Sequence, residues 1–272
     1  LDCVISPLFA SCLPVRSPEA EEGVLCLGSF VIPSFDVIAY YMPLPYTPPT
    51  MKRFLALSVA IATLTACSGT PTARYQLTMN VTKSEDVVQL TQESINVMQR
   101  RLEGMDETMI DNDVEETGSG SVIVSITAEH AEALATLTDS LQLPFDFAIL
   151  AQVKGNQKAD VTVEKFGGFA KTGITGNDLS WVEADKEPGQ DLGRVHLIFT
   201  DEGRTKMADL FKKMKGKNIG IFVRGQLVSL LEVETDVLKD DIVIQQIPSF
   251  ELAQAFAEDV NVGIHVTITP LP

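Results

Sequence analysis

The sequence predicts an α+β protein of two modules, and three observations carry that expectation. Apolar residues alternate in short runs, such as Arg74 to Val81 and Arg194 to Thr200, as half-buried strands require. Helical periodicity interrupts these runs, most clearly from Glu85 to Glu103. Glycines then gather between residues 154 and 193, where Gly155, Gly167, Gly168, Gly173, Gly176 and Gly189 mark a boundary opening a second module.

The first module, residues 74–153, reads in order. Tyr75, Leu77 and Met79 share one side of the opening strand. Thr82-Lys83-Ser84-Glu85 has capping-box spacing, and the following helix presents Val87, Val88, Leu90, Ile95, Met98 and Leu102 on one broad face. Strands from Thr108 to Glu115 and from Ser121 to Ile126 flank Thr117-Gly118-Ser119-Gly120, which is hairpin chemistry. Thr127 is placed to cap a helix from Ala128 to Leu141, and Pro144 precedes a strand from Phe145 to Val153. The order β-α-β-β-α-β predicts a ferredoxin-like base, with two helices over one face of an antiparallel sheet.

The second module, residues 154–261, opens with a strand near Val161 to Lys165 and a short helix near Asn177 to Ala184. Thr200 ends a strand and caps a helix from Asp201 to Lys215, acidic in its first turn and basic in its last, as the helix dipole prefers. Strands from Asn218 to Val223 and from Gln226 to Val233 flank a tight turn at Arg224-Gly225. After a strand from Asp241 to Ile247, Ser249 caps a helix from Phe250 to Asp259. A strand from Gly263 to Thr269, within residues 262–272, then closes the chain and can return to the base.

Composition narrows function. The 272 residues are 45% hydrophobic and 21% charged, an ordinary globular balance. A net charge of -16 argues against nucleic acid as partner, because phosphate binding needs a surplus of Lys and Arg. It also disfavours anionic lipid, so membrane attachment needs a cause other than charge. Cys3, Cys12, Cys26 and Cys67 are the four cysteines, so the body after Cys67 has neither a disulfide framework nor a cysteine zinc site.

That cause is legible upstream. Met51-Lys52-Arg53, an apolar run from Phe54 to Leu64 and Leu64-Thr65-Ala66-Cys67 are the basic, hydrophobic and small-residue parts of a secretory signal over residues 51–66. The last four residues resemble a bacterial lipobox, which implies acylation of Cys67; an ordinary signal with an incidental cysteine is the alternative. Residues 67–73 form a short tether, and the lipoprotein resemblance implies that Ser68 permits transfer to an outer membrane where there is one. Residues 1–50 carry no periodic pattern and read as upstream sequence ahead of a start at Met51, with a cytoplasmic extension as the alternative.

Thr175-Gly176-Asn177-Asp178-Leu179, Phe199-Thr200-Asp201-Glu202-Gly203 and the run Gly216 to Gly225 are dispersed motifs of the second module. Together they resemble the soluble exported domain of SecD, a membrane subunit that assists bacterial protein export. The helix around Ile247 to Asp259 and, more loosely, Met98 to Gly104 extend the likeness over most of residues 74–272. The resemblance implies a SecD-head-like second module and contact with unfolded polypeptide or the Sec machinery. Two departures stand out: Arg224-Gly225 replaces an Asp-Gly turn, and Ser229-Leu230-Leu231 follows it. The family's transmembrane helices find no counterpart after Cys67, so proton-driven coupling is not carried over.

No Walker, dinucleotide, zincin or nucleophile-elbow pattern is present, so neither an enzyme nor a cofactor is expected. His130, His196 and His265 are far apart and read as structural. Lys212, Lys213, Lys215 and Lys217 cluster at a helix C-terminus, where Lys complements the dipole. Phe166, Phe169 and Trp181 could line a cleft between the modules, although aromatic residues in such a region are more often core, and Phe169, Trp181 and Gln226 are the candidate polypeptide contacts. The reading is an envelope lipoprotein on the exported side of a membrane, with a passive role in export. An envelope scaffold or ligand-binding lipoprotein is the second reading.

Overall fold

The computed structural model describes residues 69–118, 121–154, 158–238 and 241–272. The Met51 start, the signal sequence, Cys67, Ser68 and the Ser119-Gly120 part of the hairpin lie outside them. The protein is α+β, with antiparallel pairing throughout the described strands.

Strand β1 (Thr72–Met79) turns Tyr75, Leu77 and Met79 inward, as its alternation requires. Helix α1 (Ser84–Glu103) buries Leu90, Ile95, Met98 and Leu102 against them, whereas Val88 is 68% exposed. No side chain caps this helix at Lys83, so the expected capping box is not formed. Strands β2 (Met109–Gly118) and β3 (Ser121–Ala128) pair as a hairpin, and Gly118 takes φ 78° at its turn.

Helix α2 (Ala131–Leu141) starts three residues later than expected, because β3 runs on to Ala128 and Thr127 bonds Thr72 across the sheet at 3.0 Å instead of capping. Its entry is fixed from a distance. One oxygen of Glu107 accepts the backbone N–H groups of Glu129 and His130 at 2.7 and 3.1 Å, and the other lies 2.8 Å from His130 Nδ1. The contact holds the Glu107 carboxyl below, and the His130 imidazole above, their ordinary ranges.

The strand after α2 gives the main correction. Strand β4 (Phe147–Val153) was expected to complete the first sheet, yet it pairs with β6 (Gly167–Thr175) and β9 (Asn218–Val223). The place beside β1 goes to the last strand, β12 (Val266–Leu271), giving the order β12-β1-β3-β2. Every residue of β4 from Phe147 to Val153 is at least half-buried, a pattern that suits a central strand with neighbours on both faces.

A five-stranded sheet, β10-β9-β4-β6-β5, adds β5 (Val161–Val163) and β10 (Gln226–Glu232) at its margins. Arg224 and Gly225 join β9 to β10 with φ of 50° and 76°, the positive pair that a tight hairpin turn needs. A three-stranded sheet, β11-β8-β7, comprises β7 (Leu179–Lys186), β8 (Gly193–Phe199) and β11 (Ile242–Ile247). Where a helix was expected from Asn177 to Ala184, there is a single 3-10 turn, Gly176–Asp178, followed by β7. A register shift between Leu179 and Trp181 breaks the alternation that would have marked the strand.

Helix α3 (Asp201–Met214) is capped as expected, Thr200 Oγ1 accepting the Gly203 N–H at 3.0 Å. Helix α4 (Phe250–His265), capped by Ser249, runs six residues beyond its expected end at Asp259. Gly263, expected to open a strand, lies inside it, where a Cβ would stand 2.2 Å from the Phe145 ring. The helix requires glycine there for close approach and not for a turn.

Three cores result. The first lies between the β12-β1-β3-β2 sheet and helices α1 and α2. The largest packs Ile149, Ile221 and Leu197 of the other two sheets against Met207 and Phe211 of α3 and Ala257 of α4. A satellite core of Leu150, Phe169, Phe222 and Leu227 occupies the opposite face of the five-stranded sheet.

Candidate functional site

Helix α4 links the sheets, since it packs on β7 and β8, contacts α1, and runs directly into β12. It also seals an edge. Strand β7 is the last strand of its sheet, and Asn261 exchanges two hydrogen bonds of 2.9 Å with the backbone of Val182, while His265 Nε2 lies 3.0 Å from the Ser180 carbonyl. Trp181 stacks on the His265 ring with centroids 5.1 Å apart and packs on the core of the β12-β1-β3-β2 sheet. Burial holds the His265 imidazole below its ordinary value.

Beyond this seal a cleft of about 410 Å³ opens between α1, β7 and α4. Glu258 sits in it fully engaged: Arg100 pairs with one oxygen, and Asn96 and Gln254 donate to the other at 2.9 and 3.0 Å. Glu93, one of the lining residues, is only 7% exposed. Its Oε1 accepts from Gln89 at 2.8 Å, and its Oε2 is buried with no hydrogen-bond partner among the described residues. Burial first, and Glu258 nearby, push the Glu93 carboxyl up to about 7 against the pull of Gln89, Asn261 and Arg100.

A second concavity, a groove of about 330 Å³, is lined by Val161, Val163, Phe166, Gln226 and Leu227 among others. Strands β5 and β10 are opposite margins of one sheet, so the sheet curls far enough to bring both to a single groove.

The expected contact residues are therefore divided. Phe166 and Gln226 line the groove together. Phe169, a candidate contact whose alternative was a core role, is 0% exposed and packs edge-on against Phe222 at 5.1 Å, so it supports the floor beneath and cannot touch a partner there. Trp181 lies in the separate cleft between α1, β7 and α4. Within the lysine cluster, Lys212 lies 3.3 Å from Asp209 and Lys215 3.5 Å from Asp236. Glu107, Glu129 and His130 are close enough to share a metal ion, but the Glu107 oxygens already serve the start of α2. Sequence reading missed Glu93, Asn96, Glu258 and Asn261. The available signal was polar residues on helices at positions that the periodicity buries.

Fold and clefts together define an α+β protein of mostly antiparallel sheets with two separate concavities, and among the described residues no helix is long and apolar enough to cross a membrane. No protein-family model matches the chain, and no curated protein matches it. Among solved structures it is similar to one of a membrane component, SecDF, that enhances protein export, at 15% identity and TM-score 0.42 over 73% of this chain and 99% of that one. It is also similar to SecDF in its Super-membrane-facing form, at 15% identity and TM-score 0.43 over 75% of this chain and 30% of that one. A third is SecDF, a translocon-associated membrane protein from Thermus thermophilus, at 15% identity and TM-score 0.39 over 74% and 30%.

Proposed function

We propose that the chain is an exported, lipid-anchored and non-enzymatic protein that assists protein export passively, by holding extended polypeptide at its sheet margins. We also read the β12-β1-β3-β2 sheet as a ferredoxin-like base whose fourth strand is supplied by β12, the intervening residues forming an inserted head. The groove beside Gln226 is the observation that carries the functional reading. It offers two edge strands, β5 and β10, over an apolar floor of Phe166 and Leu227. An extended chain can add to such an edge through main-chain hydrogen bonds, with little demand on its sequence. Contact of this kind is weak, as release of a client requires.

Photocrosslinkers at Phe166 and Gln226 are expected to capture unfolded or translocating chains in preference to folded ones. Equal labelling of folded protein would remove the reading. The anchor rests on the lipobox resemblance, and β1 begins at Thr72, only five residues past Cys67. Five extended residues reach roughly 17 Å, which would keep the body at the membrane surface. The mass of the N-terminal peptide should show acyl chains on Cys67, and an unmodified Cys67 in the mature chain would contradict the anchor. The cleft at Glu93 favours a second reading, a ligand-binding envelope lipoprotein.

A further inference from the structure

Glu93 poses a question that the export reading does not answer, and its cleft shares no lining residue with the groove at Gln226. A carboxylate oxygen removed from water and given no donor is unfavourable, and native proteins fill such sites with a proton, a water or a ligand. The neighbouring acid shows what a filled site looks like here, since Glu258 receives Arg100, Asn96 and Gln254. Arg100 is committed to that acid and also lies 3.5 Å from Asp259.

We propose that the cleft between α1, β7 and α4 binds a primary ammonium group, with Glu93 Oε2 as its carboxylate partner and Trp181 and Phe250 as the apolar walls for its alkyl stem. One acceptor oxygen is unmatched, the other being occupied by Gln89, so a point donor fits where the two-pronged fork of a guanidinium would not. A hard divalent ion would require several vacant oxygens, and both oxygens of Glu258 are taken. Phe250 is already in range of one ammonium, since Lys186 Nζ stands 5.7 Å from the centroid of its ring. Gln89 and Gln254 are exposed lining residues that keep their bonds to Glu93 Oε1 and Glu258 Oε1, which leaves Oε2 of Glu93 as the open acceptor. A net charge of -16 raises the local concentration of cations. The ammonium could belong to a lysine of a partner polypeptide or to a free alkyl amine, and the chemistry of recognition is the same.

Trp181 is the only tryptophan and lines the cleft, so its fluorescence reports occupancy. Titration of the full-length chain with n-butylammonium, and with a blocked Ala-Lys-Ala peptide, is expected to give a saturable change that n-butanol does not give. Glu93→Gln should weaken both by about tenfold or more, since it keeps the shape and removes the charge. Tighter binding of the peptide than of n-butylammonium assigns the site to a partner lysine, and equal binding assigns it to a free amine. The proposal is overturned if neither cation saturates, if n-butanol acts equally in the unaltered chain, or if Glu93→Gln binds as well. Because the groove is separate, crosslinking at Gln226 stands or falls independently.

Discussion

Gly203→Ala is expected to destabilise the protein by about 2–4 kcal/mol, as overpacking combined with lost hydrogen bonds does. A Cβ at Gly203 would stand 2.1 Å from the carbonyl oxygen of Asp178 and 3.0 Å from its carbonyl carbon. The obstacle is backbone and cannot rotate away. Nor can it slide, because the same carbonyl accepts the Thr200 N–H at 2.9 Å. Asp178 is 2% exposed and its carboxylate is pinned at both oxygens, accepting the Thr175 N–H at 2.9 Å and a proton of Lys206 Nζ at 2.7 Å. Urea unfolding followed by Trp181 fluorescence measures the effect, with the exposed Asn177→Ala as a control expected within about 0.5 kcal/mol. A Gly203→Ala midpoint equal to that of the control would refute the close approach.

The same contact explains why two motifs distant in sequence occur in one chain. Thr175-Gly176-Asn177-Asp178-Leu179 forms the 3-10 turn, and Phe199-Thr200-Asp201-Glu202-Gly203 forms the start of α3. The turn sets the Asp178 carbonyl over the first turn of the helix, so one motif's backbone is the other's ceiling. Read singly, the first looks like a helix start; its capping box between Thr175 and Asp178 is real but closes only one turn.

What could be read directly was local. Thr200 and Ser249 cap the helices that follow them, and Arg224-Gly225 makes its turn, because each feature depends on a few adjacent residues. What misled was decided at long range. Strand β6 hides in a Gly-rich stretch, since Gly173 takes φ 84° beside a register shift and breaks the two-residue period. Strand β4 looks the same in either sheet, and only the arrival of β12 beside β1 excludes it from the first. Helix α4 reads as ending before Gly263 because the reason for that glycine, the Phe145 ring, lies more than one hundred residues away. The cleft was least legible of all. Asn96 and Glu258, which touch at 2.9 Å, are separated by 162 residues, and nothing near either marks the pairing.

Glu93→Gln should stabilise the protein in alkaline solution and do little in acid, the largest pH effect expected from the described residues. Folded Glu93 titrates at about 7 against 4.5 for an ordinary glutamate. Below 4.5 the residue is neutral in both folded and unfolded chains, so the substitution changes little. As pH rises from 4.5 to 7 the unfolded chain releases its proton while the folded chain retains it, and stability falls. Above that range the full penalty applies, about 3 kcal/mol at ~1.4 kcal/mol per pH unit. Burial sets its size, Gln89 and Asn261 reduce it, and among the charges Glu258 on α4 adds to it while Arg100 on α1 reduces it. The amide introduced by Glu93→Gln would keep the Gln89 contact but leave a polar group where Oε2 had no partner, so a gain of roughly 2 kcal/mol is the realistic expectation. Urea midpoints at about pH 4.5 and pH 8.5 supply the measurement. The difference between variant and parent should open across that interval, and a constant difference would show that Glu93 titrates in the folded protein as it does in the unfolded chain. An ammonium bound to Oε2 would narrow the gap, because a paired carboxylate no longer resists ionisation.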